Sequence, residues 1–376
     1  MSRATLSSVS QRIQIGQALP FGVLDADGGL LLARGQQVVS AEQLLSLMSR
    51  GAMVNLAEVM EAASGTAAVK TAARAELPPL WSRCLERVSQ TLLQMPEQGF
   101  TQAIDDASAP VTALVARDPE LAIFQVLREG GDPDVAYGVR RSMQTAVTAF
   151  LIAQRLAWEP AECERAFKVA LTMNVSMLGL QGQLARQPDA PTDQQRQELR
   201  NHPMRSVQML QAAGVNDHDW LDAVLNHHEQ EDGAGYPSGR TDVCELASLV
   251  RRAGHYTAKL ASRSGRDAIS ADVAGRQMFM QDPGHPMTAA LVREFGIYPP
   301  GCFVRLVSGE RALVVQRGAS ITTPVVMCLT DAQGDMLAQP RRVAVGEGGH
   351  AVAGVVGEGA VNARLSLERL AALVTA

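Results

Sequence analysis

The chain has 376 residues, 46% hydrophobic and 4% aromatic, enough apolar material for a large core shared among two or three compact units. Lys and Arg number 34 against 39 Asp and Glu, and the basic residues gather into no dense block, which excludes the electrostatic footprint of a protein bound to long nucleic acid. Five scattered cysteines (Cys84, Cys163, Cys244, Cys302 and Cys328) without a CxxC pair exclude a disulfide framework and suit a reducing compartment. The opening MSRATLSSVSQRIQIGQALPFGVL lacks the apolar core of a secretory signal, and no later run approaches the roughly 20 apolar residues of a membrane span. A cytoplasmic protein is expected.

In chain order, IQIGQALPFGVLDADGGLLLARGQQVV places apolar runs on either side of DADGG, a hairpin signature because Asp and Gly tolerate positive φ. A helical pattern follows, SAEQLLSLMSRGAMV, with Ser40 as its cap. Residues 1–57 thus read as a small mixed α/β domain of hairpin plus helix. Residues 58–79, rich in Ala, Gly, Thr and Lys and ending at Pro78-Pro79, read as a linker. Helical spacing then recurs in LWSRCLERVSQTLLQM, in SAPVTALVARDPELAIFQVLREG, from Gly138 to Trp158 and from Ala161 to Leu180, so residues 80–300 read as one helical domain. Past Tyr298-Pro-Pro-Gly301, short apolar runs broken at Ser-Gly and Gln-Gly predict a β meander, and ARLSLERLAALV predicts a closing helix packed on its own domain through Leu365, Leu367, Leu370 and Leu373. Residues 301–376 form that small β-rich subdomain. The fold class is mainly α, with minor β units at both ends.

The chemistry concentrates in LNHHEQEDGAGYPSGR, from Leu225 to Arg240. On a helix beginning near Asp219 and stopping at Asp232-Gly233, Trp220, Ala223, Val224, His227 and His228 share one face by the i, i+3, i+4, i+7 rule. Buried imidazoles must hydrogen-bond or hold a metal, since an unpaired buried polar group costs about 1–3 kcal/mol. Upstream, Asn201-His202-Pro203 adds a third histidine ahead of another helix. His218, His255, His285 and His350 stand alone and read as surface or capped histidines, and Asp25 and Asp27 read as turn residues rather than cation ligands.

HHEQEDGAGYP resembles the signature of the HD-GYP domain: His-Pro, then HHE, two spacers, DG, any residue, and GYP. His202-Pro203, His227, His228, Glu229, Asp232, Gly233, Gly235, Tyr236 and Pro237 all match, and the resemblance runs from roughly Leu121 to Val345. It implies an HD-type helical bundle, cyclic di-GMP as ligand, and GGDEF-type diguanylate cyclases as partners of the Gly235-Tyr236-Pro237 loop. Working members of the family hydrolyse cyclic di-GMP with two or three iron or manganese ions. The resemblance also implies that Arg263 and Arg266 contact the phosphates; a solvated helix face shared with Arg251 and Arg252 is the other reading.

The resemblance breaks at other ligand positions. Alignment of YGVRRSMQTAV with the family sets Arg141 where a His is expected, ALTMNVSMLGLQ sets Asn174-Val175 in place of His-Asp, and VRRAGHYTAKLASRSGR sets Gly254 and Thr257 at acidic positions. A two-metal centre holds ions roughly 3.5–4 Å apart across an anionic bridge, and valine has no oxygen with which to bridge. The expectation is therefore a degenerate HD-GYP domain acting as a non-catalytic binder or scaffold in bacterial cyclic di-GMP signalling. The alternative is a cyclic di-GMP phosphodiesterase with an altered metal site. No cofactor is expected; His202, His227 and His228 remain as a residual metal-ligand set, able to hold one zinc ion or to form a metal-free hydrogen-bonded cluster.

Overall fold

The computed structural model describes residues 3–95, 98–128, 136–262, 264, 268–346, 350–361 and 365–376. At the amino terminus, β1 (Arg3–Thr5), α1 (Leu6–Val9), β2 (Val23–Leu24), β3 (Leu30–Leu32), α2 (Ala41–Ser49) and β4 (Met53–Asn55) build an antiparallel sheet in the order β1-β4-β2-β3 over a core of Leu6, Leu19, Phe21, Val23, Val38 and Val54. DADGG turns the chain between β2 and β3 because the Asp25 carboxylate accepts the Gly29 N–H at 2.7 Å while Gly28 takes φ +98°. Ser40 caps α2 by accepting from the Gln43 N–H at 3.1 Å.

The stretch expected as a linker is helical: α3 (Leu56–Ser64) and α4 (Thr66–Thr71). Val59 on α3 joins the amino-terminal core, whereas Val69 on α4 joins the main helical core, so these short helices hand the chain from one core to the next. Their Ala-rich text carries little periodic contrast, which is why a helix there was invisible to pattern.

The main unit comprises α5 (Leu77–Leu93), α6 (Phe100–Arg117), α7 (Pro119–Arg128), α8 (Tyr137–Arg155), α9 (Pro160–Thr172), α10 (Leu178–Arg186), α11 (Asp193–Ala212), α12 (His218–Asn226), α13 (Glu245–Leu260), α14 (Ala271–Gln281) and α15 (Pro286–Phe295). α8 is the central column. Every residue from Ser142 to Ala153 is buried, and α7, α9, α10, α13 and α15 surround it. At its first turn Gly138 lets α8 meet the backbone of Leu178, where a Cβ would collide. The helix expected over 161–180 breaks after Thr172 into a 3-10 turn at Val175–Met177, and the one expected from Ser108 breaks at Asp118, whose carboxylate caps α7 through the Leu121 N–H at 3.0 Å.

β5 (Phe303–Leu306), β6 (Arg311–Gln316), β7 (Val325–Thr330), β8 (Met336–Ala344) and β9 (Val352–Val356) form a wholly antiparallel sheet, a meander with β9 added beside β5 in the order β8-β7-β6-β5-β9. Its pairing aligns Phe303 with Leu313 and Val314 with Val326. α16 (Leu367–Val374) buries Leu370, Ala371 and Val374 against the helical core. Arg317, just past β6, fastens the sheet to the helices through Glu120 on α7 and Glu294 on α15. Among the described residues no helix is long and apolar enough to cross a membrane.

Candidate metal and ligand site

His202 sits inside α11, directly before Pro203, and is 1% exposed. Proline has no N–H, so the carbonyl of Leu199, four residues earlier, receives no helical hydrogen bond from it. The His202 Nδ1 takes that place, donating to the Leu199 carbonyl at 2.6 Å. His227, 2% exposed, is the cap residue of α12, which ends at Asn226 rather than at Asp232-Gly233 as expected. There the helix leaves its last carbonyls without helical partners, and His227 Nδ1 donates to the Val224 carbonyl, also at 2.6 Å. The two Nε2 atoms then face each other at 3.1 Å. Burial holds both rings neutral at ordinary pH, lowering His202 to about 4 and His227 to about 3, and it lowers His228 as well. Ligand atoms of His202, His227 and His228 all lie within 4.8 Å of one another, the one such group found among the described residues.

The segment after the histidines folds back on them. Glu229, fully buried, accepts the Ser238 and Gly239 N–H groups at 2.6 and 3.1 Å through Oε1 and so closes the loop, while its Oε2 is buried without a hydrogen-bond partner. Asp232 caps the same loop through the Ala234 N–H at 2.9 Å. A Cβ at Gly235 would collide with the backbone of His228, Glu229 and Gln230, so only glycine permits this return. The Tyr236 ring lies on His228, centroids 4.5 Å apart and planes 15° apart. Pro237 is exposed, after a cis peptide bond.

α13 departs from the solvated face expected of Arg251 and Arg252. Arg252 is 3% exposed and pairs with Asp282 at 2.5 Å and Glu231 at 3.0 Å; Arg251, its side chain 10% exposed, pairs with Glu231 at 2.7 Å. Arg263 and Arg266 lie outside the described residues.

A cavity of about 350 Å³, within the range of small-molecule sites, opens beside the histidines. Arg141, Asn174, Gly254, His202, His227, His228 and Tyr236 line it together. Val175 is buried in the adjoining turn. Arg141 donates to the Thr257 carbonyl and to Gln144 Oε1, each at 2.8 Å, so the residues aligned with lost ligand positions on α8 and α13 meet in space. Four of the lining residues also carry a side-chain polar atom buried without a hydrogen-bond partner: Tyr137 Oη, Asn174 Oδ1, Gln181 Oε1 and Arg251 Nε. Tyr137 and Gln181 were missed from sequence, since a lone Tyr or Gln on an amphipathic helix carries no spacing signal, and Arg251 was read only with Arg252 as a solvated face.

The two-ion centre implied by the resemblance does not fit these residues. Manganese and ferrous iron favour oxygen-rich shells, and among the described residues the cluster offers imidazole nitrogens alone, with neither Glu229 nor Asp232 in the ligand group. Arg141 adds a fixed positive charge to the same cavity wall.

The HD domain family profile matches residues 132–278. The chain is 28% identical over 261 residues to a protein named cyclic di-GMP phosphodiesterase PA4108 from Pseudomonas aeruginosa, covering 66% of this chain and 62% of that one. It is 26% identical over 192 residues to a cyclic di-GMP phosphodiesterase of Vibrio cholerae, covering 48% and 39% respectively. The chain thus spans less than two thirds of either relative. Among solved structures it resembles Bd1817, an HDG"Y"P protein from Bdellovibrio bacteriovorus, with a TM-score of 0.50 and 15% identity over 77% of this chain and 97% of that one. These findings establish homology to cyclic di-GMP phosphodiesterases and an HD-type fold. They favour the phosphodiesterase alternative over the non-catalytic expectation.

Proposed function

We propose that the cavity beside the histidines binds cyclic di-GMP and retains it without cleavage, so that the chain acts as a receptor or scaffold in cyclic di-GMP signalling. The observation that carries binding is the cavity of about 350 Å³ itself, whose lining sets Arg141, Arg251, Tyr137, Asn174 and Gln181 beside the histidines, a concave site with a few convergent polar groups. Arg251 suits a phosphate oxygen. Retention rests on the donor set, which lacks the bridging carboxylate that hydroxide production between two ions needs. The nomenclature of both curated relatives supports a second reading, a phosphodiesterase working through an altered site. Contact with GGDEF-type partners, in either reading, falls to the exposed Pro237 and its neighbours, since Tyr236 is engaged with His228.

Titration calorimetry with cyclic di-GMP at low salt, paired with chromatography after incubation in manganese or ferrous iron, separates the readings. Saturable heat that weakens as salt rises, with no linear or mononucleotide product, is the expected result, and Arg251→Ala or the double variant Arg263→Ala with Arg266→Ala should lower affinity about tenfold or more. Product formation would establish the phosphodiesterase reading; absence of binding would sink both.

A further inference from the structure

A second cavity, of about 450 Å³, lies where the ends of α8 and α15 meet the loop between β6 and β7. Three guanidinium groups line it: Arg155 in the last turn of α8, Arg293 in the last turn of α15, and Arg317 just past β6. Two carboxylates answer them. Glu120 accepts the Arg317 backbone N–H at 3.0 Å on one oxygen and the Arg317 Nε at 2.9 Å on the other. Glu294 spends one oxygen on Arg317 and the other on Arg155 Nε at 2.6 Å. No acceptor is left for Arg293, which is exposed and has no hydrogen bond or ion pair among the described residues. A guanidinium carries five N–H donors and no acceptor, so the cavity holds one positive charge beyond its carboxylates and more donors than acceptors.

Helix ends are negative poles, the ordinary reason for arginines in last turns. Here those poles are already met. Following N–H groups take the carbonyls of Ile152, Ala153 and Gln154 on α8 and of Val292 on α15, and Arg317 takes the carbonyl of Glu294 at 2.9 Å.

We propose that this cavity is a second ligand site and takes a small organic oxyanion, a phosphate ester or a carboxylate, held by Arg293 with Arg155 and Arg317 beside it. A guanidinium meets either head group with two parallel N–H donors. Phe295, Tyr298, Ile321 and Pro324 complete the lining and offer the body of the ligand an apolar wall. The bound anion touches helix ends and loop together, so it reinforces the join that Arg317 makes between the helical body and the carboxyl-terminal sheet. Nothing in this inference depends on cyclic di-GMP or on the histidines.

The test uses the full chain in chloride buffer, titrated by calorimetry with phenyl phosphate and with benzoate. Saturable heat with at least one probe is expected, weakening as salt rises, and the tighter probe identifies the head group. Arg293 is exposed, so Arg293→Ala leaves the fold intact, and it should weaken binding about tenfold or more. Hydrogen exchange measured with the probe bound should slow over residues 317–324. The proposal is overturned by no saturable heat with either probe, by unchanged affinity in Arg293→Ala, or by protection confined to the cavity beside the histidines.

Discussion

At the residue scale, the site is held by what each side chain does for the backbone. His202 and His227 satisfy carbonyls that a proline and a helix end leave open, and Glu229 satisfies two loop amides. The histidines themselves were legible from sequence, because HH follows an apolar helical face and HP stands before a helical run, although the structure places HP inside α11. Their tautomers were not, since only the fold brings two Nε2 atoms to 3.1 Å. Arg251 and Arg252 misled for a plain reason: adjacent arginines on a helix usually face water, yet Glu231 and Asp282 compensate them here. The tightest residue-level constraint is Gly235. Gly235→Ala drives a methyl into the backbone of His228 to Gln230, and a loss of at least about 2 kcal/mol is expected. Denaturant unfolding measures it; a change within about 0.5 kcal/mol of zero would contradict the packing described.

At the element scale, the segment between α12 and α13 is clamped from outside by Glu231, which meets Ser248, Arg251 and Arg252. Burial alone would raise this carboxyl; hydrogen bonds from Ser248 and Arg252 and the Arg251 charge outweigh burial and bring it down to about 2. Between its ordinary value of 4.5 and about 2 the unfolded chain binds more protons than the folded one, so the contribution is complete above about 4.5 and is lost as pH falls through that window. The side chain is 42% exposed, so screening holds the effect to about 1 kcal/mol or less. Glu231→Gln should therefore be slightly less stable at pH 7 and lose less stability on acidification; superimposable pH–stability curves for the two proteins would refute the clamp. Element boundaries were the least readable part of the sequence. The break after Thr172 and the early end of α12 have no proline or glycine beside them to mark them in the sequence.

At the scale of the whole molecule, the mainly helical body with a small sheet at each end was readable from periodicity: 3.6 through the middle, short alternating runs past Gly301. The join between helices and carboxyl-terminal sheet was not, because its ion pairs, like the apolar side chains of Phe303, Leu313, Val315, Met327 and Leu329 that the sheet adds to the helical core, join residues distant in sequence. Arg317 bonds Glu120 at 2.9 Å and also engages Glu294, whose other oxygen accepts from Arg155 at 2.6 Å; Glu120 and Glu294 are 14% and 9% exposed. Arg317→Met removes the shared cation, leaving the largely buried Glu120 without its ion-pair partner and Glu294 with Arg155 alone, which should cost about 3 kcal/mol. Hydrogen exchange over β5–β9 should accelerate in that variant, and adding Glu120→Met should recover part of the stability. Unaltered exchange would show that apolar contact alone holds the sheet.

The return of the chain onto His228 also bears on how this protein's relatives should be recognised. In HHEQEDGAGYP the first Glu, the Asp, the second Gly and the Tyr each serve the closure of one turn, by accepting amides, by admitting a backbone at contact distance or by covering a ring. A search pattern built on these eleven letters thus ranks chains by how they close a bend, and it is blind to whether the walls around that bend hold the groups that cut a phosphodiester.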